Sequence, residues 1–212
     1  MSPSTDTHDS KAKLISAALN VVRAKGFTAT RVEDICAAAG LTKGSFFHHF
    51  KSKEDLALAA AQAWGEGAQA LFADAPYTAL ADPRARLLGY IDFRKELLQG
   101  GFSDFTCFAG TTVQEVYDTH PAISDAVAKT ISDHIAVLEP DVAEAMRVYG
   151  SDGTFSARSL TRYLQVVLQG AFVLAKAERN VDAAVESLDL LKQHIELLFD
   201  PHHRGAKPAA PR

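Results

Sequence analysis

Hydrophobic residues recur at helical spacing along nearly the whole chain, and no stretch shows the sustained two-residue alternation that is typical of a strand. The pattern therefore predicts an all-α fold. Its N-terminal part predicts a helix from Asp9 or Ser10 to Gly26, short helices over 31–39 and 43–50, and a long fourth helix capped by Ser52. Further helices are predicted over 83–99, 104–119, 121–137, 156–178 and 183–199, with another short one around 139–149.

The two short helices and the longer one before them have the arrangement of a helix-turn-helix. We expect Thr30 and Glu33 to form a capping box at the start of the second helix, and Gly40 to end it. The turn into the third helix then runs from Ala39 to Thr42. A set of apolar residues can fill a small core beneath the motif: Leu14, Ala18, Val22, Phe27, Val32, Ile35, Leu41, Phe46 and Phe50.

Charge is distributed unevenly along the 212 residues, whose formal net charge is −4. Residues 1–55 carry 8 lysines and arginines against 6 acidic residues, whereas the remaining residues carry 14 against 20. A slightly basic N-terminal part followed by an acidic body indicates that a polyanion such as nucleic acid would bind the N-terminal part.

The composition is typical of a soluble globular protein rather than a membrane or secreted one. The N-terminal residues are polar, and no apolar run reaches the ~18 residues that a membrane span needs. The two cysteines, Cys36 and Cys107, lie far apart, so we expect reduced thiols and a cytoplasmic location. Residues 201–212 lack apolar periodicity, which predicts a disordered tail. Nothing in the sequence indicates a cofactor.

The first turn of the third helix has the residue types that a DNA recognition helix needs. Such a helix lies in the major groove with its N-terminal residues at the base edges. Thr42 and Ser45 offer short hydroxyl groups, and Lys43 can reach guanine acceptors or phosphate. Gly44 has no side chain, so the backbone can approach the groove closely. These residues are therefore candidates for base contacts.

His48 and His49 are neighbours on the third helix, so their side chains point about 100° apart. They cannot converge on one metal ion, as residues three or four positions apart could. We therefore expect no metal site here. Both rings suit contacts with the phosphates beside the groove, as neutral donors or partly protonated cations. The alternative is that both are solvated surface residues.

The run GFTATRVEDICAAAGLTKGSFFHHFKSKEDL, residues 26–56, resembles the DNA-binding segment of the TetR/AcrR family of repressors. The family pattern runs from Gly-aromatic through Thr, Ile and Ala-Gly to a Ser/Thr-x-Gly-x-aromatic-aromatic-x-His-Phe helix, and then to Ser-Lys-Glu. This chain keeps that spacing. The phrase QGAFVLAKAERN, residues 169–180, is similar to the penultimate helix of many members. The rest matches only in size and helicity.

The resemblance implies DNA contacts at the matching positions of this sequence. They are Thr42, Lys43, Gly44 and Ser45 with bases and adjacent phosphates, His48 and His49 with the DNA backbone, and Lys53 with a phosphate. Two positions depart from the family pattern. Phe47 stands where a tyrosine usually binds phosphate through its hydroxyl, so that bond is absent here. Arg31 stands where Ser or Thr commonly caps the second helix, and it is a candidate phosphate contact instead.

The resemblance also implies a DNA-binding domain over 9–55 and a larger ligand-binding and dimerisation domain over 56–200. Such a repressor binds a palindromic operator as a homodimer, and a small molecule releases it by shifting the fourth helix. The dimer would form through the last two long helices, whose apolar faces are broad: Leu160, Leu164, Val167, Leu168, Ala171 and Leu174, then Val185, Leu188, Leu191, Ile195 and Leu198. The alternative is that these faces pack within one protomer.

Aromatic and polar residues of the central helices are candidates for the effector pocket, which should be mainly apolar with few polar anchors. They are Trp64, Tyr90, Phe93, Phe102, Phe105, Cys107, Phe108, Gln114, Tyr117, His120 and His134. Each of them is equally compatible with an ordinary core position.

Cys107 leaves further alternatives open. It lies near a helix N-terminus in FTCFAGTTVQEV, where a thiolate is favoured. The stretch is similar to family members with Cys-x-x-Gly, some of which sense electrophiles or oxidants, although a buried cysteine can also be inert. An all-helical enzyme that pairs Cys107 with His120 or His134 is the main rival, but no third group orients the pair, so we expect no enzyme. A DNA-binding activator or a ligand-independent binder is the third alternative.

Overall fold

The computed structural model describes residues 4–151 and 153–200, with side chains from residue 9 onward, and these ranges are helical without a strand. The predicted all-α fold is thus confirmed. Its elements are α1 (Ser4–Lys25), α2 (Val32–Ala39), α3 (Lys43–His49), α4 (Lys53–Ala73), a 3-10 turn (Pro76–Ala79), α5 (Pro83–Glu96), α6 (Phe102–Phe105), α7 (Phe108–Val116), α8 (Pro121–Tyr149), α9 (Ala157–Glu178) and α10 (Asp182–Leu198). No helix in these ranges is both long and apolar enough to cross a membrane. The predicted tail at 201–212 lies outside the described residues.

The helices differ most from the predicted ones at three places. α1 begins at Ser4 rather than at Asp9 or Ser10. The helix predicted over 104–119 is divided into α6 and α7, because the backbone at Thr106 and Cys107 is extended. The helices predicted around Pro140 are one continuous helix, α8. Proline weakens a helix interior, but buried residues on both sides of Pro140 hold α8 in its helical path.

The start of α2 shows that the predicted capping box is wrong. Arg31 is the N-cap residue, and its backbone N–H donates to Oδ2 of Asp34 at 2.8 Å. The hydroxyl of Thr30 donates instead to a backbone carbonyl of the preceding turn at 2.6 Å. Glu33 forms an ion pair with a neighbouring helix and takes no part in the cap. The helix therefore begins one residue later than predicted, which makes Asp34 the residue that closes the cap.

The described residues up to Phe72 pack with Gln99–His134 as one compact unit, here called the N-terminal unit. Its core joins α1–α4 to α7 and the start of α8. The buried members include Leu14, Ala18, Val22, Phe27, Ile35, Phe46, Phe50, Leu56, Phe108, Val116 and Val127. Packing therefore ties the helix-turn-helix to helices beyond residue 55, while the functional division between 9–55 and 56–200 remains a prediction.

Ala73–Leu98 and the described residues from Ile135 onward form a second compact unit, the C-terminal unit. In it α9 packs along α10, and α10 packs on α5. Three polar contacts fix α5 to its neighbours: Gln165 to the Tyr90 hydroxyl at 3.1 Å, Lys192 to Asp92 at 2.7 Å, and Arg86 to Asp141 at 2.7 Å. Packing within the protomer thus covers most of the predicted apolar faces of α9 and α10.

The exposed apolar side chains of α9 and α10 are mostly not the predicted ones, and Leu174 alone belongs to both sets. Leu160, Leu164, Leu168, Ala171, Leu188, Leu191 and Ile195, which the sequence offered for dimer contacts, are buried inside the C-terminal unit. The exposed set is Tyr163, Val166, Val173, Leu174, Leu190 and Leu197. The reason is that both helices are apolar on more than one side, and the inward positions are taken up by each other and by α5.

Candidate nucleic-acid interface

Two phenylalanines hold α3 against the rest of the N-terminal unit. Phe46 is 0% exposed and Phe50 is 3% exposed, and their ring centroids lie 5.8 Å apart. The turn before α3 depends on Gly40, whose φ of 65° lies in the left-handed region that favours glycine. The N–H groups of Gly40 and Leu41 bond to carbonyls of the last turn of α2. Buried rings and this turn together fix the direction of the recognition helix.

The first turn of α3 presents its polar groups outward, as the sequence predicted for a recognition helix. Thr42 is the N-cap residue, and its Oγ1 accepts a hydrogen bond from the backbone N–H of Ser45 at 3.1 Å. Lys43 and Gly44 are exposed. A Cβ on Gly44 would meet only Oγ1 of Thr42, at an ordinary 3.6 Å. Packing within the protein therefore does not require glycine at this position. The absence of a side chain is consistent with close approach by another molecule.

Lys43 is paired with Glu33 of α2, and both side chains are more than half exposed. The hydrogen bond from Lys43 lowers the pKa of the Glu33 carboxyl. Exposed ion pairs contribute little stability, so Lys43 can leave Glu33 for DNA at a small cost.

The two histidines of α3 have different surroundings. His48 is exposed, and its ring meets the edge of the His49 ring at 4.9 Å. His49 is half-buried, and its Nε2 is hydrogen-bonded to the hydroxyl of Ser10 at 2.7 Å, which ties α3 to α1. Among residues 4–151 and 153–200, no group of three potential metal ligands is found. Of the two rings, only His48 stands fully at the surface expected to face DNA.

Lys53 is placed differently from a simple phosphate ligand. Its ammonium donates to the carbonyls of Phe27 and Thr30, both at 3.0 Å, and lies 4.2 Å from the centroid of the Phe27 ring. Two of its three N–H bonds are therefore used within the protein. Sequence patterns could not indicate this role, because the partners are carbonyls about 25 positions earlier in the chain and any residue type supplies a carbonyl.

Around α3, further side chains extend the same exposed surface. Arg31 is exposed at the start of α2, and the Phe47 ring is 58% exposed. Two basic residues that sequence reasoning missed are also exposed, Lys51 just after α3 and Lys11 on α1, whose ammonium lies 5.7 Å from the Phe50 ring centroid. Their lysine identity was the available signal, but nothing in a linear pattern placed α1 beside α3.

The predicted effector residues fall into both compact units. Tyr90 and Phe93 belong to the C-terminal unit, and the other candidates belong to the N-terminal unit. Two are exposed, Gln114 and Tyr117, the latter to 72%. The rest are buried or half-buried: Trp64, Tyr90, Phe93, Phe102, Phe105, Cys107, Phe108, His120 and His134. The effector pocket remains a prediction.

Cys107 is the N-cap residue of α7, and its half-buried sulfur accepts a hydrogen bond from the N–H of Gly110 at 3.3 Å. The guanidinium of Arg23 lies nearby. Arg23 is 9% exposed, donates to the Asp104 carbonyl at 3.0 Å and stacks over Trp64 at 5.2 Å. Burial lowers the pKa of Arg23, but the guanidinium of an arginine stays protonated in proteins.

The surroundings of the other cysteine and the two histidines bear on the enzyme alternative. Cys36 is buried, and burial raises the pKa of its thiol. The ring of His120 packs edge-on against Phe27 at 5.5 Å, and that of His134 packs against Phe72 at 4.6 Å. Both histidines thus have aromatic neighbours in the core, whereas the sulfur of Cys107 serves as a helix cap.

Comparison with known proteins agrees with this geometry. Residues 14–60 match the family described as bacterial regulatory proteins, tetR family. The transcriptional regulator CymR of Pseudomonas putida is 44% identical over 64 residues, which are 28% of this chain and 32% of CymR. The transcriptional repressor DhaR of a Mycobacterium species is 25% identical over 79% of this chain and 82% of DhaR. A TetR-family regulator structure from Agrobacterium tumefaciens has a TM-score of 0.78 at 18% identity, and covers 89% of this chain and 98% of that chain.

Proposed function

Because the chain belongs to the TetR family of bacterial regulatory proteins, we propose that it is a repressor that binds a palindromic operator as a homodimer. The observation that carries the proposal is the first turn of α3. Lys43 and Gly44 are exposed there, while Phe46 in the next turn is completely buried. A short helix that is anchored by its apolar side and open at its N-terminal turn is what base reading in the major groove requires.

The homodimer is supported by exposed apolar side chains on α9 and α10. Val166, Gly170 and Val173 follow one another at helical spacing on α9, and no atom lies within 4 Å of a Cβ built on Gly170. On α10, Leu190 and Leu197 are also exposed, to 66% and 55%. Large apolar side chains grouped in this way are typical of a protein interface. A twofold dimer would read two half-sites of a palindrome, about 34–36 Å or a multiple of that apart.

The first test is selection of bound duplexes from a random DNA pool by the whole protein. We expect an inverted repeat, and we expect Lys43→Ala to lose about 1–3 kcal/mol of discrimination between the selected duplex and a random one. Lys51→Ala is the matched control, because it removes the same charge from an exposed position outside α3. It should weaken binding to both duplexes equally and reduce the slope of log affinity against log salt by about one.

The two lysine variants separate base reading from charge. If both lowered affinity for the selected and the random duplex by the same factor, Lys43 would be a phosphate contact and α3 would not read bases through it. Recovery of no enriched sequence by the wild-type protein would contradict a sequence-specific regulator. Recovery of a single half-site without its repeat would contradict the dimer.

We also propose that a small molecule bound by the C-terminal helices releases the operator. The support is the continuous core of the N-terminal unit, in which α4, α7 and the start of α8 pack with α1–α3. A shift of α4, α7 or α8 must therefore move α3 or disrupt the packing of this core. The cavity of about 10 Å³ in that core, lined by Phe27, Lys53 and Phe108, holds no more than one water molecule and is too small for a small-molecule effector.

A second candidate for the releasing signal is modification of Cys107 by an electrophile or oxidant. The sulfur caps the N-terminus of α7 and is half-buried. The thiolate is the reactive form of a cysteine. A substituent on this sulfur would remove the acceptor that Gly110 uses, and α7 would lose its cap.

Alkylation with iodoacetamide tests this candidate. We expect Cys107 to react in the folded protein while Cys36, 5% exposed, does not, and mass spectrometry of peptides will distinguish them. Affinity for the selected duplex should then fall about fivefold or more, since a lost helix cap costs about 1 kcal/mol. Cys107→Ser should be insensitive to the reagent. Alkylated wild-type protein that binds as tightly as untreated protein would leave Cys107 as an inert cap.

A further inference from the structure

The loop between α1 and α2 is held from both sides of one residue, Phe27. Its backbone N–H donates to Oε1 of Glu115 at 3.0 Å, and its carbonyl accepts from Lys53 at 3.0 Å. Its ring is 2% exposed, its centroid lies 4.2 Å from the ammonium of Lys53, and it packs against the His120 ring at a centroid distance of 5.5 Å. We call Glu115, Phe27 and Lys53 the loop clamp. All three belong to the N-terminal unit.

The Glu115 side of the loop clamp is built for a carboxylate. Its second oxygen, Oε2, accepts from the N–H of Thr28 at 2.7 Å, so the two oxygens bind two successive backbone N–H groups. Charge-assisted bonds of this kind are about twice as strong as neutral ones. Gly26 makes room for the carboxylate, because a Cβ there would lie 2.2 Å from Oε1. Removal of the carboxylate would leave two N–H donors that have no other described partner.

The position of the loop determines both borders of the DNA-binding surface. Directly after the loop, Arg31 caps α2, and α2 leads through Gly40 into the recognition helix. Directly after that helix, Lys53 begins α4 and bonds back to the loop. The hydrogen bond from Lys53 to Phe27 therefore joins the two ends of the segment 27–53. Glu115 of α7 binds this segment at its first end.

We propose that Glu115 is a positioning residue for operator binding, through which α7 controls the placement of α2 and α3. The proposal rests on the proposed DNA-binding function and gives it a route of regulation. α7 carries Cys107 at its first end and Glu115 in its last turn. A displacement of α7 thus pulls on the N–H groups of Phe27 and Thr28 directly, without a prior shift of α4.

The test compares Glu115→Ala and Glu115→Gln with Asp118→Ala. Asp118 is exposed three positions further along the chain, so its replacement removes the same charge without touching the loop. Amide hydrogen exchange is measured for Phe27 and Thr28, and affinity is measured for the selected duplex and a random duplex. If the loop in Glu115→Ala holds its binding-competent position about a tenth of the time, affinity for the selected duplex falls about tenfold.

We expect faster exchange at Phe27 and Thr28 in Glu115→Ala, with α1 still protected, and a smaller loss of affinity for the random duplex than for the selected one. Glu115→Gln, which keeps one acceptor but places an N–H₂ against the second donor, should be intermediate. Asp118→Ala should match the wild type. If Glu115→Ala does not fold, Glu115→Gln carries the same comparison.

Three outcomes would overturn the proposal: unchanged exchange at the two amides, equal loss of affinity for both duplexes, or an effect of Asp118→Ala equal to that of Glu115→Ala. The failure of the proposed function looks different, since the wild-type protein would then prefer no duplex. In that case amide exchange still shows whether Glu115 holds the loop. Equal affinities of Glu115→Ala and the wild type for DNA would reject a role of Glu115 in DNA binding.

Discussion

Phe46→Ala should lower the free energy of unfolding by about 3–5 kcal/mol, the usual cost of deleting a fully buried phenylalanine ring. Phe46 is 0% exposed and touches both Phe50 and Phe47 with its ring. Domains of this kind have a free energy of unfolding of only about 5–15 kcal/mol. The variant should therefore lose much of its stability, and its DNA binding should fall with it. Chemical denaturation followed by circular dichroism measures the change.

Phe47→Ala is the matched control for Phe46→Ala. The same ring is removed one position further along α3, but here it is 58% exposed. We expect a change in stability within about 0.5 kcal/mol, because surface substitutions rarely cost more. Any loss of affinity for the selected duplex then reports contact with DNA rather than unfolding. Equal destabilisation by both variants would mean that α3 is not anchored through Phe46 as described.

The contrast between Phe46 and Phe47 also shows what the sequence can predict. The helical period placed Leu14, Phe46 and Phe50 in a shared core, and all three are buried. The same period and the turn residues identified Thr42 as the start of α3, and Thr42 is its N-cap. These features are local, so spacing along the chain is sufficient to find them.

The loop clamp could not be predicted in this way. The contact between Phe27 and Glu115 joins residues 88 positions apart, and the groups that Glu115 binds are backbone N–H groups that every residue except proline has. Nothing in the identity of Glu115 distinguishes it from a solvated glutamate. Only the fold, which packs α7 against α1, brings it to the loop.

Which side chains of α9 and α10 are left for a dimer interface could not be predicted for a related reason. Periodicity shows that a helix has an apolar side, but it does not show which neighbour covers that side. Leu164 and Leu188 are covered within the protomer, while Val166 and Leu190 are exposed. The dimer proposal therefore rests on side chains that the three-dimensional packing leaves uncovered, and not on those that the hydrophobic pattern marked first.

Gly26→Ala should be strongly destabilising although Gly26 lies in a loop. The φ angle of Gly26 is 88°, and an alanine in the left-handed region costs about 1–2 kcal/mol. A Cβ there would also lie 2.2 Å from Oε1 of Glu115, so the carboxylate must move away from the loop. A hydrogen bond to a charged group contributes about 1.5–3 kcal/mol, so we expect a total loss of about 3 kcal/mol or more.

Gly40→Ala separates the two causes, because Gly40 also has a positive φ, 65°, but no atom lies within 4 Å of a Cβ built on it. It should cost only the backbone strain, about 1–2 kcal/mol. In a Glu115→Ala background, Gly26→Ala should fall to the same cost, since the clash is gone and the bonds are already lost. The coupling between Gly26 and Glu115 in this double-mutant cycle should then be about 1–3 kcal/mol. Additive costs, with Gly26→Ala no worse than Gly40→Ala, would mean that the Glu115 carboxylate does not lie over Gly26, and the loop clamp would lose its main geometric support.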